Sequence, residues 1–191
     1  ETRESMVFSF LLRYECQNIA DSNKTGNENQ MNKKELLEKK FLGIQLIRNW
    51  FLKEGFLDVM TPSIVSRPGI EPHLNPFEVK GSHHNGFLQT SPEFHMKELL
   101  SHGLEKIFTI TYSFRDEPKS ETHRPQFIML EWYRSNAHYK KIKEDTKSLV
   151  NFLANELPGV DKKFFGKFNE WTINEAFIKF ADIDLVRYPS K

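Results

Sequence analysis

Cysteine is nearly absent from this chain: Cys16 stands alone among 191 residues. That excludes an internal disulfide and a cysteine-built metal site, and it fits a reducing compartment. Long apolar runs are absent too. Nothing approaches the roughly 20 residues needed to span a bilayer. The apolar stretch from Met6 to Leu12 is interrupted by Arg13 with no small-residue cleavage site behind it, which makes a poor signal peptide. Charge of one sign is also lacking, since 27 Lys and Arg face 26 Asp and Glu for a net charge of +1. Such a balance argues against a protein built to coat nucleic acid. There are no internal repeats and no low-complexity segments. These absences lead to the expectation of a soluble, cytoplasmic protein with no membrane partner.

Core material, by contrast, is plentiful. Hydrophobic residues make up 38% of the chain and 17 phenylalanines dominate its aromatic content. A single domain of this length can bury about 70% of its unfolded surface without a disulfide or metal staple. Residues 1–30 read differently from the rest. The segment starts with Glu1, and Asp21 to Gln30 is entirely polar, so a poorly ordered leader is expected, with Met31 as a plausible true start.

From Asn32 onward the helix signals sharpen. Asn32 and Glu35 can form a capping box. Leu37, Phe41, Ile44, Ile47 and Phe51 make one apolar helical stripe, which Gly55 ends as a C′ residue. A β-prone run from Phe56 to Met60 stops at Thr61-Pro62. Residues 66–86 should be loop with short strands. Ser91 is expected to cap a second helix with Pro92 at its first position, and Gly103 to close it. Two strands follow, Lys106 to Glu117 and Phe127 to Arg134, joined by a loop from Pro118 to Pro125. A helix striped by Ile142, Thr146, Leu149, Leu153 and Leu157 ends at Pro158-Gly159, and Thr172 with Glu175 caps a last helix. The order is α+β with a central antiparallel hairpin.

Side chains alternate faces along a strand. One face of the hairpin carries Phe108, Ile110, Tyr112, Phe114, Ile128, Leu130 and Trp132, which is core material. The other presents Ser113, Arg115, Glu117, Phe127, Met129, Glu131 and Tyr133, with His123 and Arg124 in the connecting loop. A planar, permanently charged guanidinium such as Arg115 can meet a reacting phosphate. Phe127 offers a surface for a purine, and Glu131 with Tyr133 can receive a cationic amine. The plain alternative is a solvated strand face with ordinary ion pairs. No metal site is read from the sequence. His83 and His84 lie in a Gly/Asn-rich loop with no Cys or acidic partner at metal spacing.

The runs Phe114-Arg115-Asp116-Glu117, His123-Arg124-Pro125-Gln126-Phe127 and Met129-Leu130-Glu131-Trp132-Tyr133 resemble motif 2 of the class II aminoacyl-tRNA synthetases. Gly55 to Pro62 resembles motif 1, the helix-strand unit at their dimer interface, and Thr90-Ser91-Pro92-Glu93 resembles their amino-acid-binding element. Several motifs in the right order over about residues 35–155 carry more weight than any one of them. His73 to Glu78 and the Met-Leu-Glu-Trp-Tyr run point to the lysine branch. They resemble most closely the lysyl-tRNA synthetase paralogue that ligates (R)-β-lysine to elongation factor P.

The resemblance implies a class II antiparallel sheet flanked by helices, with residues 31–191 as the N-terminal part of the catalytic domain. It implies a ligase that activates lysine or (R)-β-lysine with ATP and Mg²⁺ as an aminoacyl-adenylate. Arg115 would contact the α-phosphate and act catalytically. Asp116, Glu117, His123, Arg124 and Phe127 would complete the ATP site. Ser91, Pro92 and Glu93 would hold the amino acid backbone, and Glu131 and Tyr133 its side-chain amine. Gly55 and Pro62 would lie at a homodimer interface. Elongation factor P is the expected acceptor and tRNA ranks behind it, because the stretch before Gly55 is too short and polar for an anticodon-binding barrel.

The chain also departs from the family pattern. Arg124 and Gln126 stand where the family has a neutral amide and a carboxylate. The Gly-rich motif 3, with its second ATP-clamping arginine and the acidic Mg²⁺ ligands before it, does not appear before Lys191. The expectation is therefore a fragment, disrupted gene or split enzyme whose 191 residues alone give no lysine-dependent ATP–pyrophosphate exchange. A fragment of a true lysyl-tRNA synthetase and a non-catalytic dimerisation or regulatory module are the alternatives.

Overall fold

The computed structural model describes residues 8–12, 33–69, 71–118, 123–160, 166 and 168–187. The expected leader, residues 1–30, falls outside them except for Phe8–Leu12, and these form a strand, β1, which the leader reading did not include. The Asn32 cap also lies outside the described residues. Helix α1 runs Lys33–Lys53. Its expected stripe holds only in part. Ile47 and Phe51 are buried, but Phe41 is 55% exposed and Trp50 is buried instead. The buried residues all lie in the C-terminal half of α1, which is the half that packs on the main sheet.

The end of α1 is closed by backbone geometry. Gly55 takes φ +76°, a region open to glycine because it has no Cβ. Its N–H donates to the Leu52 carbonyl at 3.0 Å, and the Phe56 N–H donates to the Phe51 carbonyl at 2.9 Å. This is a Schellman closure with its apolar contact in place: the Phe51 and Phe56 rings meet edge-on at 5.0 Å. It turns the chain directly into β2, Leu57–Asp58, shorter than the expected run. Strand β3 (Ile64–Val65), β4 (Glu78–Lys80) and β5 (Asn85–Leu88) form a small antiparallel sheet in the order β3-β5-β4.

Helix α2, Glu93–Ser101, comes next. It begins one residue later than expected: Pro92 occupies the cap position, and the Ser91 hydroxyl both accepts from the Glu93 N–H and donates to Glu131. Gly103 closes it at φ +95°. The central hairpin is β6 (Lys106–Phe114) and β7 (Gln126–Arg134), antiparallel, with Thr109 opposite Glu131 and Ile107 opposite Tyr133. The main sheet runs β1-β7-β6-β2, mixed because β2 lies parallel to β6. Helices α3 (Tyr139–Glu156) and α4 (Ile173–Ala181) follow, and α4 carries the capping box read from Thr172 and Glu175.

The core lies on the hairpin face that the sequence marks as apolar. Phe108, Leu130 and Trp132 pack beneath α1 and α3 with Ile47, Trp50, Phe51, Phe56, Ile142 and Leu149. Phe51 and Phe108 stack at 4.7 Å. Each fully buried aromatic of this kind stabilises by about 1.5–3 kcal/mol, which makes this face the rigid floor on which the opposite face is held.

Candidate active site

The alternation expected for the hairpin is observed, but the polar face is not a solvated one. Thr109, Ser113, Glu131 and Tyr133 are all buried, which removes the plain alternative of a surface ion-pair face. Tyr133 is covered by α2 through Met96, together with Ile107 and the partly buried Val59, Leu99, Leu100 and Leu104. The segment between β5 and α2 covers Glu131.

Glu131 is the centre of this arrangement. Its side chain has no solvent exposure. The Ser91 hydroxyl donates to Oε1 at 2.7 Å and the Tyr133 hydroxyl donates to Oε2 at 2.8 Å. Burial pushes the Glu131 carboxyl above the ordinary carboxylate range, opposed by these two hydrogen bonds, while the charge of Glu93 raises it further and that of Arg115 lowers it. Tyr133 is pushed strongly upward by burial and by the neighbouring carboxylate, so it remains a hydrogen-bond donor. A buried carboxylate satisfied by two neutral hydroxyls, with no cation bonded to it among the described residues, is poised for a cationic partner.

Ser91 ties the site to α2. Its hydroxyl accepts from the Glu93 N–H at 3.2 Å while donating to Glu131. Pro92 is buried at the helix start. The Glu93 carboxylate is paired with Lys97 at 2.6 Å on the helix surface, so it influences Glu131 through its charge rather than a bond.

Arg115, Asp116 and Glu117 do not continue the strand as expected. The strand ends at Phe114: the Arg115 N–H still donates to the Pro125 carbonyl at 3.0 Å in register, but proline has no N–H to return the bond, and the Asp116 N–H turns to the Asn75 carbonyl at 2.8 Å. The Arg115 guanidinium donates through Nε to the Thr90 carbonyl at 3.4 Å and lies 5.2 Å from the centre of the Phe127 ring. Phe127 therefore presents its π face to Arg115 in this state. His123 Nε2 and Glu117 lie 3.7 Å apart, and Arg124 Nη1 donates to the His123 carbonyl at 3.4 Å. Asp116 is exposed. Arg115 and His123 supply donors for an anion at one end of the hairpin, while Glu131 is an acceptor for a cation further along it. The dipeptide Thr90-Ser91 touches both ends.

Gln89 escapes sequence reading, and Thr90 enters it only as the first residue of the Thr90-Ser91-Pro92-Glu93 run, without a role of its own. Thr90 is buried, and its hydroxyl has no hydrogen-bond partner among the described residues. Gln89 is buried and bonded on every side. The only sequence signal for Gln89 is adjacency to Thr90-Ser91-Pro92-Glu93. Gly55 and Pro62, expected at an interface, belong to a segment that exposes Leu57, Met60 and Ile64, with Met60 95% exposed. Among the described residues no three His, Cys, Asp or Glu side chains gather to hold a metal ion, and no helix is long and apolar enough to cross a membrane.

Residues 25–188 match the family described as tRNA synthetases class II (D, K and N). The chain is 33% identical over 149 residues to a lysine–tRNA ligase of Azoarcus sp. (strain BH72), covering 75% of this chain and 29% of that protein. It is 35% identical over 155 residues to a lysine–tRNA ligase of Haemophilus influenzae (strain ATCC 51907 / DSM 11121 / KW20 / Rd), covering 74% and 30%. In structure it is similar to the asparaginyl-tRNA synthetase from Pyrococcus horikoshii crystallised with asparaginyl-adenylate. The TM-score there is 0.60 at 26% identity, over 67% of this chain and 29% of that one. The chain thus spans under a third of the length of these relatives.

Proposed function

We propose, from the premise that this chain belongs to the class II tRNA synthetases (D, K and N), that the residues around Glu131 bind lysine or (R)-β-lysine and present its carboxylate to ATP. The observation that carries this reading is Glu131, an unexposed carboxylate with two hydroxyl donors and, among the described residues, no bonded cation. A lysine ammonium is a partner of matching charge and hydrogen-bond capacity for it. The lysine–tRNA ligases among the relatives support the same substrate class.

In this reading residues 31–191 form the N-terminal part of a ligase catalytic domain. Tyr133 and Ser91 orient the Glu131 carboxylate toward the side-chain amine, and Glu93 adds negative charge near the second amine. The substrate carboxylate oxygen attacks the α-phosphorus. A bond forms there as the bond to the pyrophosphate leaving group breaks, giving the aminoacyl-adenylate and pyrophosphate. Arg115 leaves the Phe127 face to meet the α-phosphate, which frees that ring for adenine. His123 and Arg124 meet the outer phosphates, and Asp116 and Glu117 border the nucleotide. The protein's contribution is positioning and charge stabilisation. Mg²⁺ supplies neutralisation of phosphate charge when bound, and the donor set fits an ion that takes most of its oxygen ligands from phosphate and water, with Glu117 as the carboxylate at hand.

Elongation factor P is the acceptor favoured by the Met129-Leu130-Glu131-Trp132-Tyr133 resemblance, and cytoplasmic location follows from it. A second reading, with tRNA as the acceptor, is favoured by the names of the relatives. The test is calorimetric titration of the chain with L-lysine and with norleucine, which has the same carbon chain and α-amine without the side-chain amine. Lysine should bind at least about tenfold more tightly, the value of one charge-assisted hydrogen bond. Equal affinities would refute the pairing with Glu131. Gel shifts of the chain against tRNA and against elongation factor P then separate the two acceptors.

The motif-1 segment supports a homodimer. Leu57, Met60 and Ile64 are exposed apolar side chains on either side of Pro62, and association would remove them from water. Met60→Glu should shift the chain toward monomer in sedimentation velocity, and an unchanged profile would remove this segment from the interface.

A further inference from the structure

We infer that Gln89 is a positioning residue for the amino-acid pocket, holding the Thr90-Ser91 segment at the distance from which it engages Arg115 and Glu131. The inference rests on the pocket reading proposed above and deepens it. Gln89 is buried in the crossover from β5 to α2. Its side-chain Nε2 donates to the Tyr112 carbonyl at 2.9 Å and to the Thr111 hydroxyl at 3.3 Å, and its Oε1 accepts from the Thr61 hydroxyl at 3.4 Å. Its own N–H donates to the Ser63 carbonyl at 3.0 Å, and its carbonyl accepts from the Phe114 N–H at 3.0 Å. One residue therefore ties the crossover to the segment after β2 and to the end of β6.

The consequence lies one and two residues downstream. The Thr90 carbonyl receives Arg115 Nε, and the Ser91 hydroxyl reaches Glu131. Both contacts join the crossover to the hairpin, and a hydrogen bond of 2.7 Å does not survive a displacement of 1 Å. No other side chain among the described residues bonds the crossover to both the segment after β2 and β6. Releasing the Gln89 amide leaves this residue tied to the segment after β2 and to β6 by its two backbone bonds alone.

The test is a double-mutant cycle on the full 191-residue chain, read by the titration of the Glu131 carboxyl in ¹³C NMR. Ser91→Ala removes a hydrogen bond that lowers this carboxyl's pKa, so its titration should move upward. Gln89→Met keeps length and bulk without the amide and should move it upward as well, and the double variant should move it no further than Ser91→Ala does. Tyr133, Glu93 and Arg115 also act on this carboxyl and are kept unchanged throughout. Ile142→Val, in the core on the opposite face, is the control: it should lower the unfolding temperature and leave the Glu131 titration in place. Should Gln89→Met fail to fold, Thr61→Val and Thr111→Val each remove one bond of the clamp and should give the same direction. A Glu131 titration that stays put or moves downward, or shifts that simply add in the double variant, would overturn the positioning role. Adding L-lysine to the wild-type sample tests the pocket reading separately, since a silent Glu131 signal there would refute lysine binding and leave the cycle to decide the clamp.

Discussion

Replacing Asp145 by alanine is expected to lower the unfolding midpoint of this chain by about 10 °C. Asp145 sits on α3 with a side chain only 4% exposed and accepts a two-point grip from Arg134 of β7, itself 10% exposed. Nε to Oδ2 is 2.6 Å and Nη2 to Oδ1 is 2.9 Å. The guanidinium also lies 4.5 Å from the centre of the Phe56 ring, so the pair joins α3, β7 and the turn after α1. Removing one member leaves the other charge buried and unpaired, which costs about 3–5 kcal/mol. In a chain of this size each kcal/mol is worth about 2–4 °C. Thermal unfolding followed by circular dichroism reads the loss. The double variant Arg134→Met with Asp145→Leu should recover most of it, because an apolar pair of similar bulk carries no desolvation penalty. A loss under about 1 kcal/mol in the single variant would mean that the pair behaves as a surface ion pair.

Glu131→Gln is expected to make the chain more stable at neutral pH and, on the lysine-binding reading proposed above, to abolish most of the lysine affinity. The sign follows from the direction of the shift. Burial raises the folded carboxyl above its ordinary value of 4.5, so the folded state holds this proton more tightly than the unfolded chain does. The stability this contributes is fully present below 4.5 and is lost as pH rises through the folded value. Glutamine has no such penalty, and both hydroxyl partners can donate or accept. The variant's advantage in unfolding temperature should therefore be small near pH 4 and grow toward pH 8. Removing a buried charge from a charge-paired contact costs about 2–5 kcal/mol of binding, so calorimetry should show lysine affinity falling by about 30-fold or more. Unchanged lysine affinity would remove Glu131 from the site, and a pH-independent difference in stability would remove the burial argument.

Much of the fold is legible from spacing. The alternation of Phe108, Ile110, Leu130 and Trp132 against Glu131 and Tyr133 places the core face, and the observed register agrees with it. Gly55, Gly103 and the Thr172–Glu175 pair mark helix ends that the structure has. Less was legible where a signal is shared between a local and a long-range partner. Ser91 has the grammar of a helix cap, yet its hydroxyl donates across 40 residues to Glu131. Arg115 and Glu117 continue the alternation of β6 on paper, but Pro125 has no N–H to return the Arg115 bond and the Asp116 N–H turns to Asn75, so the pairing stops there. Strand β1 was not read at all. Phe8–Leu12 has its backbone partner, Ile128 to Trp132, more than 100 residues away, and no local pattern encodes such a pairing.

The sequence by itself determined the class II motifs, their order and the chemistry their side chains can perform. Local grammar and side-chain type are properties of neighbouring residues, so they survive without the fold. The tertiary structure alone decided that Glu131 is sealed from solvent between two hydroxyls, that Gln89 ties the crossover above it, and that Arg134 and Asp145 share a buried grip. Burial and partnership are set by segments far apart in the chain, because only packing removes water and brings their donors within bonding distance.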